Sequence, residues 1–301
     1  MSGFMVVGTD GSAPSLDAVA WAAREAELRK TALRVVHALA RPGHLPLDSV
    51  LPRAVREHFR READAVVDEA VLMARTTAPG IEVSGLVRPG EPLTVLTAES
   101  RSADLIVVGH RGLSEFAGTL LGSTAGGLAA HARCPVLVVR EPEAPVGPVV
   151  LGLDGSPAGT AAVRFAFEEA AAQRVRLVAL HAWTAWNAPL PPPADASEPY
   201  AYGPGVLAAE EERLLAESLA GTGDTYPDVK VERRTVHGPA RPALIEASRT
   251  ARLTVVGSRG RGGFTGLLLG SVSQAVLHHA HSPVAVVRGR PSRHVRAERP
   301  E

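Results

Sequence analysis

Short, largely apolar runs alternate with longer amphipathic segments along the chain. The runs Phe4–Gly8, Leu33–Leu39 and Leu105–Gly109 are rich in aliphatic residues, which is typical of strands buried on both faces. Ser15–Lys30 and Pro52–Thr76 instead place apolar residues at helical spacing. Strands that alternate with helices predict a parallel sheet with right-handed crossover connections.

The remaining elements of this first unit follow the same pattern. A third strand is predicted at Glu82–Val87, a helix at Leu93–Ser100, a further helix at Ser123–His131 and a fifth strand at Val136–Arg140. The whole predicts a doubly wound, Rossmann-like α/β unit, in which helices flank a five-stranded parallel sheet.

The same pattern then occurs a second time. MVVGTDGS at 5–12 returns as VVLGLDGS at 149–156, and DLIVVGHRG at 104–112 returns as LTVVGSRG at 253–260. The second and fifth strands also recur, and the order is kept. The chain is therefore predicted to contain two homologous units in tandem, each with the fold described above.

These repeats set the predicted domain boundaries. Domain 1 covers residues 1–141 and domain 2 covers residues 148–289, with a stiff, Pro-rich linker at Glu141–Pro148. In the second unit, residues 183–205 are too rich in proline for a helix and are expected to form a long loop. Residues 290–301 are expected to be a disordered tail.

Composition narrows the class of protein. Arg plus Lys and Asp plus Glu number 32 each, and this balance argues against a protein that mainly coats nucleic acid or anionic membrane. The single cysteine, Cys134, excludes a disulfide within the chain and fits a reducing compartment. No apolar run approaches the length of a membrane span and the first residues do not resemble a signal peptide, so we expect a cytoplasmic location.

The chemistry concentrates in two glycine-containing loops, GHRGLSEFAGTLLGS at 109–123 and GSRGRGGFTGLLLGS at 257–271. Each follows an apolar strand and precedes a helix. Glycine permits positive φ and close backbone approach, so N–H groups can converge on an anion. Ser123 and Ser271 then fall at helix N-termini, which favour phosphate. A structural role as tight turns is the alternative, and it is weakened because the full pattern occurs twice.

Asp10 and Asp154 follow the first strand of each unit, within the sequence Asp-Gly-Ser. In open α/β sheets, ligands bind at the carboxyl ends of the strands where the strand order reverses, so each Asp should face the glycine loop of its own unit. Each carboxylate can contact a nucleoside or hold Mg²⁺. It can equally cap the following helix, and the sequence leaves both roles open.

The histidines give a weaker signal. His37 and His181 match across the repeats at the end of the second strand, where a structural role is favoured over a catalytic base. The spacing of His278, His279 and His281 does not bring three ligands to one helix face, so we predict no metal site there. Only Lys30 and Lys230 are lysines, which argues against catalysis by a lysine in a glycine loop.

The motif Gly-x2-Gly-x9-Gly-(Ser/Thr), the Asp after the first strand and the closing Pro-Val-x-Val-Val strand resemble the universal stress protein family in its tandem, ATP-binding form. The resemblance covers about residues 3–288 and implies two nucleotide sites that bind ATP, with or without Mg²⁺. The first site would comprise Gly8, Asp10, Gly109, His110, Arg111, Gly112, Leu113, Ser114, Glu115, Gly122, Ser123 and Thr124. The second would comprise Gly152, Asp154, Gly257, Ser258, Arg259, Gly260, Arg261, Gly262, Gly263, Gly270, Ser271, Val272 and Ser273.

The resemblance also implies pairing through the last strands, Val136–Val139 and Val284–Val287, either between two chains as a homodimer or between the two repeats of one chain as a pseudo-dimer. The exposed edge of a fifth strand makes such pairing physically reasonable. The partner that the resemblance implies is an adenine nucleotide. The charge balance and the lack of a long apolar run predict no nucleic-acid or membrane partner.

The two loops differ in charge. Arg259 and Arg261 can pair with phosphate in the second loop, whereas Glu115 in the first would repel it unless a metal intervenes. With no residue set that fits catalysis, the sequence favours a cytoplasmic, ATP-binding, nucleotide-responsive regulator of the stress response. The alternatives are a slow Mg²⁺-dependent ATP hydrolase and an interaction module in which nucleotide is incidental.

Overall fold

The computed structural model describes residues 3–40, 52–113, 120–140, 146–184, 206–261 and 268–289. The first repeat contains β1 (Phe4–Gly8), α1 (Ala13–Arg29), β2 (Ala32–Leu39), α2 (Arg53–Thr77), β3 (Val83–Pro89), α3 (Pro92–Glu99), β4 (Leu105–Gly109), α4 (Ser123–His131) and β5 (Val136–Val139). The second contains β6 (Val149–Leu153), α5 (Thr160–Gln173), β7 (Leu177–Trp183), α6 (Val206–Leu219), the single turn α7 (Thr222–Thr225), β8 (Val231–His237), α8 (Ala240–Ser248), β9 (Leu253–Gly257), α9 (Ser271–His279) and β10 (Val284–Val287). Most of the predicted linker, the loop after β7 and the tail lie outside the described residues.

The predicted fold class is confirmed. Each repeat forms five parallel strands, in the order β3-β2-β1-β4-β5 and, in the second repeat, β8-β7-β6-β9-β10. In the first repeat, the observed bounds differ from the predicted ones by at most two residues. The largest differences include α1, which begins early because the Ser12 carbonyl accepts the first helical bonds, from the N–H groups of Ser15 and Leu16 at 3.0 Å.

The sheet separates two hydrophobic cores. Successive residues of β1 point to opposite sides, so Met5 and Val7 lie in one core with α1, α2, α5 and α6. Val6 lies in the other core, with α3, α4, α8 and α9. Because helices cover both faces, consecutive strand positions are apolar. None of the helices in the described part of the chain has the length and apolar character that a membrane crossing requires.

β5 and β10 join the two half-sheets into one sheet of ten strands. They pair antiparallel, with Leu137 opposite Ala285 and Val136 opposite Val286. Leu137 and Ala285 occupy the same position in the two repeats, so this is the register that a twofold axis through the pair produces. Equivalent elements of the two repeats therefore meet across the axis.

One of these meetings buries a charged cluster between α1 and α5. Glu25 and Glu169, which are counterparts in the two repeats, are 3% and 2% exposed. Arg29 donates from Nε to Glu25 at 2.5 Å and from Nη2 to Glu169. The counterpart of Arg29 is Gln173, whose amide donates to Glu169 at 2.7 Å. Two buried carboxylates thus share the guanidinium of Arg29.

Protonation of this cluster affects stability. Burial, together with the nearby Glu25 carboxylate, raises the pKa of Glu169 from 4.5 to about 8, although Arg29 opposes the shift. Between these two values the folded chain binds more protons than the unfolded chain. The stability that Glu169 contributes is therefore complete at acid pH and is lost as the pH rises towards the raised pKa.

We expect Glu169→Gln to remove this pH dependence, because glutamine keeps the hydrogen-bonding shape and has no proton to lose. Relative to the original chain, the variant should gain on the order of 2 kcal/mol in its free energy of unfolding between about pH 5 and pH 9. Urea denaturation across this range measures the difference. Glu168→Gln, at the neighbouring and more exposed position that pairs with Arg164, is the matched control. Parallel pH profiles for all three proteins would contradict the prediction.

Candidate functional site

The two glycine loops begin at the carboxyl ends of β4 and β9. β4 lies beside β1, and β9 beside β6, so each loop stands next to the Asp-Gly-Ser segment of its own repeat. The predicted contact is present in both repeats. Asp10 Oδ2 accepts a hydrogen bond from the Leu113 N–H at 2.8 Å, and Asp154 Oδ2 accepts one from the Arg261 N–H at 2.6 Å.

The second oxygen of each Asp holds its own turn. Asp10 Oδ1 accepts from the Ser12 N–H at 3.0 Å and from the Ser12 hydroxyl at 2.6 Å, and Asp154 Oδ1 accepts from the Ser156 N–H at 3.0 Å. Neither Asp caps the following helical segment, because the N-cap residues there are Ser12 and Ser156 and neither N-cap has a side-chain capping hydrogen bond. Each Asp is instead a clamp between the first strand and the glycine loop.

This clamp stabilises the ionised form of Asp10. Partial burial acts to raise the pKa of its carboxyl, but hydrogen bonds from the Ser12 hydroxyl and from the N–H groups of Leu113 and Ser12 outweigh burial. The pKa therefore lies below its usual value. A carboxylate held in this way stays charged at every pH near neutrality.

The glycines matter for close approach and not for positive φ, which corrects part of the reasoning from sequence. None of the motif glycines that the structure describes in either loop has a positive φ. A Cβ on Gly112 would lie 2.3 Å from Asp10 Oδ2, and one on Gly260 would lie 2.2 Å from Asp154 Oδ2. Any side chain at these two positions would therefore push the carboxylate away from the loop.

Positive φ occurs instead in the Asp-Gly-Ser turns. Gly11 has φ of 82° and Gly155 has φ of 72°, a conformation that residues with a side chain rarely adopt. Arg261 lies directly over this second turn, because a Cβ on Gly155 would meet its Nη2 atom at 2.6 Å. The turn and the loop thus pack face to face.

Each loop is also closed at its base. The Gly122 N–H donates to the His110 carbonyl at 2.8 Å, and the Gly270 N–H donates to the Ser258 carbonyl at 2.8 Å. The helices α4 and α9 start immediately afterwards, with no side-chain cap at Gly122 or Gly270. Their first N–H groups have no helical acceptor, and the helix dipole makes this end positive. The helix N-terminus that follows each loop therefore suits an anion.

The side chains at these two helix ends differ in what they offer. Ser123 and Ser271 are exposed. Thr124 and Val272 follow in the first helical turn. Ser273, one residue further, is buried and donates its hydroxyl to the Gly257 carbonyl at 2.5 Å, so it supports the loop from below.

Other predicted residues form the floor. The backbone N–H of His110 donates to the Val139 carbonyl at 2.9 Å, and the ring Nδ1 of His110 lies 3.2 Å from the same oxygen. Burial, and then the charge of Arg140, lower the pKa of His110, which favours the neutral ring. Gly8 and Gly152 allow close packing, because a Cβ there would lie 2.8 Å from Leu96 and 2.9 Å from Leu244.

The structure brings the predicted residues of each site together where it describes them. Ser114, Glu115, Gly262 and Gly263 lie outside the described residues, so the predicted charge difference between the loops stays a prediction at those positions. Arg259 and Arg261 are exposed at the second loop. Among the residues described, no three His, Cys, Asp or Glu side chains are grouped so that they could hold a metal ion.

The two matched histidines support the structural interpretation. His37 Nδ1 lies 2.9 Å from the Thr9 carbonyl, and His181 Nδ1 lies 2.8 Å from the Leu153 carbonyl. The second repeat adds a contact that the sequence reasoning missed, because His181 Nε2 lies 2.5 Å from a carboxylate oxygen of the fully buried Glu211. A glutamate in a charged helix is ordinarily expected to be exposed, so no sequence signal marked it.

Comparison with known proteins gives a consistent result. The model of the Universal stress protein family matches residues 1–140 and again residues 146–288. A universal stress protein of Mycobacterium tuberculosis is 40% identical over 302 residues, which cover 94% of each chain. Another from the same organism is 38% identical over 296 residues, covering 94% of this chain and 96% of the other. The crystal structure of a universal stress protein from Archaeoglobus fulgidus has the same fold, with a TM-score of 0.71, 20% identity and coverage of 97% of this chain and 100% of that one.

We expect Asp10→Asn to destabilise the chain by about 1 kcal/mol at pH 7, because the amide cannot accept all of the hydrogen bonds that the carboxylate accepts. A carboxyl whose folded-state pKa is lowered contributes stability that is complete above its unfolded pKa of about 4 and is lost as the pH falls through the folded value. The difference between the variant and the original chain should therefore shrink in acid. Urea denaturation at neutral and acid pH tests this, with Asp17→Asn, an exposed position on α1, as the control. A difference that is constant with pH would exclude the charged clamp.

Proposed function

Because the chain belongs to the universal stress protein family, we propose that it is a cytoplasmic, ATP-binding protein that acts as a nucleotide-responsive regulator in the stress response. The observation that supports this most directly is that both loops are closed at their bases, held by an Asp and followed by a helix N-terminus without a side-chain cap. Such an arrangement favours phosphate.

The residues present fit a nucleotide phosphate chain. The Ser123 and Ser271 hydroxyls and the first N–H groups of α4 and α9 would donate to phosphate oxygens, and Arg259 and Arg261 would add positive charge at the second site. Bound ATP would supply a triphosphate whose charge these groups stabilise. Both oxygens of Asp10 already accept hydrogen bonds from the chain, so a magnesium ion would be held chiefly by the phosphates themselves.

A regulator is favoured over a fast enzyme because neither glycine loop contains or adjoins a lysine. Lys30 and Lys230 are the only lysines in the sequence. Each lies just before a strand, β2 or β8, and so at the amino ends of the strands, whereas the loops lie at the carboxyl ends. Asp10 and Asp154 hold the loops in place with their carboxylates. Neither site therefore combines a lysine with a carboxylate free to position water.

We propose that pairing through the last strands joins the two repeats of one chain and does not join two chains. β5 and β10 occupy the middle of the ten-stranded sheet, which leaves β3 and β8 as its edges. The backbone groups of the last strands are thus already paired with each other. A second copy of the chain would have to use another surface.

We expect about two ATP molecules per chain, and Gly112→Ala and Gly260→Ala should each remove one of them, because a Cβ at either position displaces the Asp clamp. The protein is purified without added nucleotide and denatured, and the released nucleotides are identified and counted by chromatography and mass spectrometry. ATP, ADP, AMP and cyclic AMP are then titrated onto nucleotide-free protein. Loss of binding to each variant site should exceed tenfold, as is typical when a positioning group is displaced.

Gly223→Ala is the matched control, since a Cβ there meets no atom within 4 Å. Recovery of ADP alone, with steady turnover above a protein-free blank, would replace the regulator with a slow ATP hydrolase. No released nucleotide and no binding on titration would contradict the ATP assignment and favour an interaction module. Equal loss of binding in the control would show that general destabilisation, and not the clamp, is responsible.

A further inference from the structure

The closing strand of each repeat ends on an arginine that reaches into the other repeat. Arg140 donates from Nη1 to the Ala280 carbonyl at 2.7 Å and from Nη2 to the Leu277 carbonyl at 2.5 Å. Its counterpart Arg288 donates from Nη2 to the Ala130 carbonyl. Both arginines thus bind the carboxyl end of a helix across the β5–β10 junction.

These helix ends are natural partners for a cation. The last carbonyls of α4 and α9 have no helical donor, and the dipole gives this end a partial negative charge. The opposite ends of the same two helices are the openings of the candidate sites, at Ser123 and Ser271. Each helix of nine residues, about 13 Å long, therefore has one repeat's site at its start and the other repeat's arginine at its end.

Each arginine is also attached to the loop of its own repeat. Arg140 follows Val139, whose carbonyl accepts the His110 N–H at 2.9 Å. Arg288 follows Val287, whose carbonyl accepts the Ser258 N–H at 2.8 Å. Loop, arginine and helix form one continuous series of contacts from each site to the other.

Arg288 makes this series especially short. Its Nη2 atom donates to the Leu268 carbonyl at 3.1 Å as well as to Ala130. Leu268 belongs to the second glycine loop, two residues before Gly270. A single guanidinium group therefore touches the loop of one site and the helix of the other.

Positive charge accumulates around both arginines. Burial, and then Arg111, lower the pKa of Arg140 to about 10, so it is still protonated at neutral pH. Burial, followed by Arg259 and Arg133, lowers the pKa of Arg288. In the part of the chain that the structure describes, neither is within ion-pair distance of a carboxylate. A phosphate group at either loop would relieve this repulsion and so stabilise the charged guanidinium group where it contacts the opposite helix.

We propose that Arg140 and Arg288 are positioning residues that couple the two nucleotide sites, so that a nucleotide in one site raises the affinity of the other. This rests on the proposed ATP-binding function. Phosphate at Ser123 fixes the start of α4, whose end holds Arg288 and, through it, the second loop. The second nucleotide then meets a loop base at Leu268 whose position is already fixed, and it binds with a smaller entropic penalty.

Calorimetric titration of nucleotide-free, full-length protein with ATP tests the coupling. The original chain should bind with a Hill coefficient above one, and we expect the first nucleotide to raise the affinity of the second site by about fivefold or more. Two independent sites of unequal affinity give a Hill coefficient below one. A Hill coefficient above one therefore shows positive coupling between the sites. Arg288→Gln, Arg140→Gln and the double variant should bind ATP at both sites with a Hill coefficient of one or below.

Three comparisons separate positioning from general stability. Arg176→Gln removes the same charge at an exposed position that pairs with Glu232, and it should keep the cooperativity. Arg288→Lys keeps a donor and the charge, and it should recover part of the coupling. In the Gly260→Ala background, which has the first site alone, Arg288→Gln should leave the remaining affinity within about twofold, because there is no second nucleotide to couple to. If Arg288→Gln does not fold, Arg140→Gln and Arg288→Lys carry the test.

The outcomes distinguish the coupling from the ATP-binding function on which it rests. Two sites that bind ATP independently in the original chain, or cooperativity that survives in the double variant, overturn the coupling and leave the nucleotide function standing. Absence of ATP binding in the original chain overturns the nucleotide function and the coupling together.

Discussion

The antiparallel pairing of β5 with β10 is the contact on which the rest of the molecule depends. It closes the two exposed sheet edges against each other, and its register places the twofold axis at Leu137 and Ala285. Everything that crosses between the repeats follows from this register, including the cluster around Arg29 and the two arginines that end the strands. A shift by one residue would turn the faces of one strand over relative to the other and separate these partners.

Within each repeat, a second constraint acts at the carboxyl edge of the sheet. Nearly all the geometry of a candidate site depends on one carboxylate that joins a strand end, a tight turn and a long loop. The motif glycine at 112 or 260 is needed because this carboxylate lies where a side chain would begin. The Asp after the first strand and the motif glycine therefore serve one steric requirement, although they lie far apart in the sequence.

Local features of the fold were readable from the sequence, whereas contacts across the axis were not. Periodicity identified the strands and helices of the first repeat, and repetition identified the second, because burial on both faces leaves a strong apolar signal. That Asp10 faces the loop also followed from topology. Its acceptance of the Leu113 N–H, the buried Glu211 and the reach of Arg288 into α4 depend on side-chain geometry between distant segments, which no periodicity encodes.

The charged cluster between α1 and α5 shows what tandem linkage permits. An assembly of two identical single repeats would carry every residue on both sides of its axis, so Arg29 would face a second arginine. Here the counterpart of Arg29 is Gln173, and Glu211 occupies the position that corresponds to Ala63. Covalent duplication has freed each half to diverge without forcing the same change on the other. The chain can thus evolve two sites of unequal character inside one symmetrical frame.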